Sequence, residues 1–222
     1  MPRRSRKPNG TPRWLMIGSG LVLLAVSGLF IRWTAHRVDR QMREEVFLQA
    51  RMVAEAVDFK HVTALSGTEA DLASPDYQRL KEQLTLIRKA NPKCRFIYLM
   101  GRRPDGKIFF YVDSEDSDSP DYSPPGQTYD EASEDDYRVF TTGSENVDTA
   151  PYKDRWGVWI TAEVPVFQPD THEMLAVLGM DFNASSWKWD VATKTTLPAS
   201  PAAISLLFGL YFLALPLRTA WS

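Results

Sequence analysis

The sequence predicts an α+β domain: a single antiparallel sheet preceded by a long amphipathic helix and flanked by two transmembrane helices. Three observations predict it. From Val158 to Phe167 small and apolar residues take every second position, and a second apolar run from Met174 to Asp181 follows the turn residues Gln168, Pro169, Asp170 and Thr171. That is a period of two broken by turn chemistry, which reads as a hairpin. Before it, Val38, Met42, Val46, Ala50, Val53 and Val57 recur every three or four positions with charges between them, the period of an amphipathic helix. Finally, Trp14–Phe30 and Leu197–Leu217 are uncharged. At about 1.5 Å per residue, each is long enough for one hydrocarbon core.

Charge separates the ends from the middle. Of a formal total of −2, seven basic residues and no acidic ones lie before residue 38 and two basic residues lie after residue 190, which leaves −11 between them. An acidic domain repels phosphate backbones, so nucleic acid is not expected as a partner. The single cysteine, Cys94, cannot form an internal disulfide and matches no metal-ligand spacing. Beside Phe96 and Ile97 it reads as a small buried residue.

Taken in order, residues 1–13 form a basic tail that the positive-inside rule places in the cytoplasm, and residues 14–33 form the first transmembrane helix, with Trp14 and Trp33 at interfacial positions. A cleaved signal peptide is the rival reading, but small residues in an A-x-A arrangement are missing before His36. Residues 34–190 form the domain outside the cytoplasm. Within it, Ser74 and Pro75 supply an N-cap and a first-turn proline for a helix lined by Tyr77, Leu80, Leu84 and Ile87, which Asn91-Pro92 stops. Arg95–Gly101 and Lys107–Asp113, joined by Arg103-Pro104-Asp105-Gly106, predict another hairpin.

Residues 114–136, rich in Pro, Asp and Glu, predict a long surface loop before a short helix around Glu131–Thr142. Their spacing lacks the order of a calcium loop, so no metal or other cofactor is expected. Residues 191–217 read as a linker and second transmembrane helix, with Pro198, Pro201 and Pro216 near its ends, and residues 218–222 as a cytoplasmic stub.

The ordered set Pro151-Tyr152, Asp154, Trp159-Ile160-Thr161, Pro165-Val166, a turn at Asp170 and Val177-Leu178-Gly179-Met180-Asp181 resembles the second half of Cache domains, the extracytoplasmic PAS-like sensors of bacterial receptors such as histidine kinases. Phe96–Asp113 is similar to their first hairpin. The resemblance covers roughly residues 38–190. It implies a long N-terminal helix on one side of a curved sheet, with a small ligand on the other side beneath a loop-rich cap.

Sheet parity then turns Val158, Ile160, Ala162 and Val164 toward the helix, and Trp159 and Thr161 toward the pocket, with Leu175, Val177, Gly179 and Asp181 sharing one parity. A carboxylate ending an apolar strand needs a cation, donors or water, so Asp181 is the informative residue; the competing role is to cap the helix that starts near Ser185. Arg155 could hold a ligand carboxylate or pair with the acidic loop. Tyr111, Tyr152 and Trp159 could form pocket walls or ordinary core. The resemblance thus implies a receptor module in a bacterial inner membrane that binds a small solute in the periplasm. It would dimerise through its N-terminal and membrane helices, and the chain is then either a truncated receptor or one that signals through a separate cytoplasmic protein. An anchored interaction domain without a ligand is the alternative. His36, His61 and His172 are scattered and no nucleotide motif is present, so an enzyme is not expected.

Overall fold

A computed structural model describes residues 13–148 and 150–218; most of the basic tail and of the C-terminal stub lies outside the described residues. The helices are α1 (Arg13–Ala56), α2 (Phe59–Thr63), α3 (Pro75–Ala90), α4 (Glu134–Thr142) and α5 (Ala184–Arg218), with a 3-10 turn at Glu69–Ala73. The strands are β1 (Cys94–Arg102), β2 (Ile108–Asp113), β3 (Asn146–Val147), β4 (Tyr152–Lys153), β5 (Val158–Phe167) and β6 (Met174–Asn183). Backbone contacts divide the chain into two compact units: residues 41–189, and the residues up to Arg40 together with those from Asp190.

Local chemistry sets the boundaries. Ser74 caps α3 by accepting from the Asp76 amide at 3.2 Å, and Pro75 occupies the first turn, where its missing N–H is no loss. The acidic stretch ends in a capping box: Ser133 accepts from the Asp136 amide while the Asp136 carboxylate accepts from the Ser133 amide. The helix therefore begins at Glu134, three residues later than the charge pattern suggested. Gly143, at φ +65°, ends it in the left-handed region. The loop before it is not wholly solvated, because Glu115 is buried against Arg88 and Arg95.

The sheet runs β2-β1-β6-β5-β3, with β4 also paired to β5. Both expected hairpins are present and antiparallel, and β1 pairs with β6, so the first and last long strands lie at the centre. Parity divides the side chains as expected. Phe96, Tyr98, Met100, Ile108, Phe110, Trp159 and Val177 share one face with Tyr129 and Val139 of the overlying segment. Ile97, Leu99, Ile160, Ala162, Leu178 and Met180 are buried at the alternate positions. Helix α3 lies along β1 and β2, α2 along β6, and α4 along β5 and β6. The inward stripe of α1 in this unit is Met42, Val46, Ala50, Val53 and Ala54, continued by Val57 just beyond the helix. Cys94 is buried, and burial pushes its thiol far above the ordinary value.

In the other unit the first part of α1 lies against the latter part of α5 through small residues. A Cβ added at Gly20 would stand 3.0 Å from the Gly209 carbonyl oxygen, and one at Gly209 would stand 3.1 Å from that of Gly20. Ser27 and Thr34 follow Gly20 at seven-residue steps and are buried, as are Thr195, Ala199 and Ala202 on α5. Leu21, Val22, Leu29, Leu207 and Phe208 are exposed. Small residues inside and large apolar residues outside are the arrangement of helices packed in lipid. Among the described residues α1 alone is long and apolar enough to cross a membrane, with a mean hydropathy of 2.2 in its apolar window. The expected pair of flanking membrane helices is thus represented by one, and the second apolar stretch lies inside α5 with all three prolines.

Candidate functional site

The face shared by Phe96, Tyr98 and Trp159 carries buried carboxyls on its central strands, Asp181 foremost. Asp181 lies on β6 opposite Phe96 of β1 and Thr161 of β5, and is 4% exposed. Its Oδ1 accepts from the Thr161 hydroxyl at 2.7 Å and from the Tyr98 hydroxyl at 3.1 Å. The Tyr98 ring reaches it because residue 179 is glycine: a Cβ there would come within 2.2 Å of the ring. Both donors are neutral, and no ion pair reaches Asp181 among the described residues. Burial therefore pushes its carboxyl up to about 8, against the pull of the Thr161 hydroxyl. The expected alternative, a helix cap, is filled by another residue. Asn183 accepts from the amides of Ser185 and Ser186 at 3.0 and 3.2 Å.

Aromatic rings cover this carboxyl. Trp159 stands edge-on to Phe96 with centroids 5.1 Å apart, Tyr98 edge-on to Phe110 at 5.4 Å, and Tyr129 and Trp156 close over Phe110 at 5.4 and 5.9 Å. The turn that carries Trp156 is organised by Asp154, which accepts from the amides of Trp156 and Gly157 and from Trp159 Nε1, all within 2.8–2.9 Å. Beside it, Tyr152 donates through its hydroxyl to the Glu131 carbonyl.

Arg155 takes the structural role weighed from the sequence: its Nε lies 2.6 Å from Glu131 Oε1 and its guanidinium lies over the Trp156 ring. Trp159 and Asp181 thus share a face, and Tyr152 and Arg155 tie its cover together. Tyr111 points the other way, edge-on to Phe109 with centroids 4.6 Å apart above Gly101. Arg155 has no contact with Asp181 among the described residues.

Two further carboxyls lie near this face. Glu163, 1% exposed, accepts from the Asn146 amide at 3.3 Å through Oε2, while Oε1 meets no ordinary donor. It faces the Asp136 carboxyl, and such a contact is a hydrogen bond only when one of the two is protonated; burial first and Asp136 second hold Glu163 well above the ordinary range. Asp148 accepts from the Thr161 amide at 3.1 Å, and burial pushes it up to about 6.

Sequence reasoning missed Tyr98, Asp154, Glu163 and the ring cover from Phe110, Tyr129 and Trp156. For Glu163 a signal existed, since a carboxylate at the parity of Trp159 and Thr161 is as unusual as Asp181. Among the described residues no three His, Cys, Asp or Glu side chains are grouped to hold a metal.

No family model matches the chain, and no curated protein matches it. Among solved structures it is similar to the ligand-binding domain of the Campylobacter jejuni chemoreceptor Tlp3 in complex with L-valine, at 14% identity and a TM-score of 0.54, covering 82% of this chain and 68% of that one. The sensory domain of the same receptor with isoleucine bound gives 13% identity and a TM-score of 0.52 over 82% and 68%. The fold is therefore that of chemoreceptor ligand-binding domains, consistent with the Cache, PAS-like sensor that the residue order resembles. These structures are sensory domains, not catalytic ones.

Proposed function

We propose that the chain is a membrane-anchored receptor module that takes a small solute on the Asp181 face and passes its occupancy to α1 and α5. One observation carries the reading: Asp181 is buried in the centre of the sheet with two hydroxyl donors and, among the described residues, no cation. Without a counter-charge the buried carboxyl keeps its proton, and a ligand bearing an ammonium or other cationic donor would take that proton's place and pair with the carboxylate. Access requires Tyr129 and Trp156 to move, and the clamp of Arg155 on Glu131 is the exposed contact that holds them. Binding that favours the opened or re-closed cap shifts the population of the two.

The basic tail supports a cytoplasmic N-terminus, with the acidic domain in the periplasm of a bacterial inner membrane. The packed small-residue seam supports a membrane pair that moves together, and a homodimer formed through the same helices would double it. A second reading, an anchored interaction domain without a ligand, draws on the close ring packing over Asp181.

Thermal-shift titration of the full chain in detergent with small amines and zwitterions separates the two. A ligand at about a hundred times its dissociation constant adds roughly 2.7 kcal/mol. The receptor reading expects a stabilising solute whose effect is lost in Asp181→Asn; if no solute stabilises the chain, the interaction domain stands. For topology, Ser119→Cys should react with an impermeant thiol reagent from the periplasmic side, over the low background of buried Cys94.

A further inference from the structure

A second concave region lies at the end of the sheet where β1 finishes and β6 begins, away from Asp181. The β1–β6 ladder pairs Met100 with Val177, so two residues further on Arg102 and Leu175 flank the strand ends, and α2 lies along β6 there. A cleft of about 370 Å³ opens at this rim, within the size range of small-molecule sites. Its floor is apolar: Val62 and Leu65 are buried, and Met174 and Leu175 are half-buried.

Three polar side chains line the same cleft and meet no side chain of opposite charge among the described residues, although Arg102 lies 5.7 Å from the centre of the Tyr137 ring. Arg102 uses Nε on the Gly106 carbonyl at 3.2 Å and Nη1 on the Thr141 hydroxyl at 3.4 Å, both neutral acceptors, so its charge has no carboxylate partner. Glu173, exposed at the start of the β6 arm, engages only its backbone, donating to the Thr171 hydroxyl and accepting from the Gln168 amide. The Tyr111 hydroxyl is half-buried and makes no hydrogen bond to a described residue, and its ring is held by Phe109.

Opposite charges lining one cleft over an apolar floor discriminate by sign. A simple anion would meet Glu173 and a simple cation would meet Arg102, whereas a dipolar molecule satisfies both.

We propose that this rim cleft is a second small-molecule site, for a ligand that carries a carboxylate and an ammonium group on an apolar body. The carboxylate pairs with the free edge of the Arg102 guanidinium and accepts from the Tyr111 hydroxyl, the ammonium pairs with Glu173, and the aliphatic body covers Val62, Leu65 and Leu175.

Calorimetry on the full chain in detergent tests this with two isomeric probes, 6-aminohexanoate and norleucine, beside hexanoate, which lacks the amine. At least one isomer should bind saturably and more tightly than hexanoate. Arg102→Gln and Glu173→Gln should each weaken that isomer about tenfold, the loss of one charge-assisted contact. Tyr111→Phe should weaken it less. Arg138→Gln, which removes an exposed guanidinium of the nearby α4, should leave it unchanged, and circular dichroism should show every variant folded. Absence of binding by both isomers overturns the proposal. So does binding that survives Arg102→Gln, which would assign the isomer to another site such as the Asp181 face and leave the receptor reading intact.

Discussion

Two carboxyls, Asp113 and Asp181, are buried to almost the same degree, at 5% and 4% exposure, yet their surroundings differ in kind. Asp113 ends β2 and accepts from the amides of Glu115 and of Ser123, the latter at 2.8 Å, with Lys81 3.5 Å away. Those donors fold the chain after β2 back on itself, while burial still pushes the carboxyl upward against them. Among the described residues Asp181 meets no amide and no cation, only two hydroxyls that can turn away. Equal burial therefore does not mean equal purpose: a carboxylate held by backbone donors and a lysine organises a loop, and one held by hydroxyls is available to something else.

The comparison breaks most visibly at Asp113. Asp113→Ala should cost about 3–5 kcal/mol in denaturant unfolding, because Lys81 and two amides lose their acceptor in the interior. A loss under about 1 kcal/mol would mean that the loop does not depend on it.

Asp181→Asn should do the reverse at neutral and higher pH. The unfolded side chain titrates near 4 and the folded one near 8, so the native state keeps a proton that the unfolded state has released. Wild-type stability then falls as pH rises from about 4 to about 8, at up to about 1.36 kcal/mol per pH unit, and levels off above. Asparagine removes that slope, so that between pH 4 and pH 8 the variant gains on wild type by up to about 5 kcal/mol. A residual fall is expected from Asp148 up to about pH 6 and from Asp113 and Glu163, whose carboxyls are shifted in the same direction. Unfolding curves at several pH values check this, and parallel profiles for the two proteins would contradict it.

A smaller effect is expected at Gly179. Gly179→Ala forces the Tyr98 ring from its place over the strand and should cost about 1–3 kcal/mol, with loss of the Tyr98 bond to Asp181. Tyr98→Phe, which removes the bond but keeps the ring, separates the two contributions. Smallest of all is the cover clamp. Glu131→Ala leaves Arg155 exposed without its partner and should change stability by only about 0.2–1 kcal/mol, while raising hydrogen exchange in the Trp156 turn.

The sheet parity was legible because burial on two faces makes every second residue answer to the same neighbour. Trp159 and Thr161 on β5 and Asp181 on β6 could be assigned to one face from spacing alone. Arg155 was legible only as two alternatives, since a guanidinium suits a ligand carboxylate and a loop carboxylate equally. The partner, Glu131, comes from a segment 24 residues earlier, and nothing local ties the two. Tyr111 was misplaced for another reason. Its contact with Phe109 follows from the alternation of β2 itself, but the irregularity in the β1–β2 pairing between Leu99 and Met100 shifts the register against β1 and has no short-range signal.

The sequence by itself, which bore no sign of α2, β3 or β4, determined the order of the longer helices and of the four long strands, the α3 cap at Ser74, both hairpins, the apolar α1 segment and the side of the sheet on which Asp181 stands. Each depends on residues within a few positions of one another, where period and turn chemistry act. Only the tertiary structure decided that β1 and β6 lie side by side, that Tyr98 and Thr161 supply the donors to Asp181, and that Glu163 faces Asp136. Those contacts join residues far apart in the chain, and which distant groups meet is set by how the whole sheet and its cap close the core, not by any one stretch.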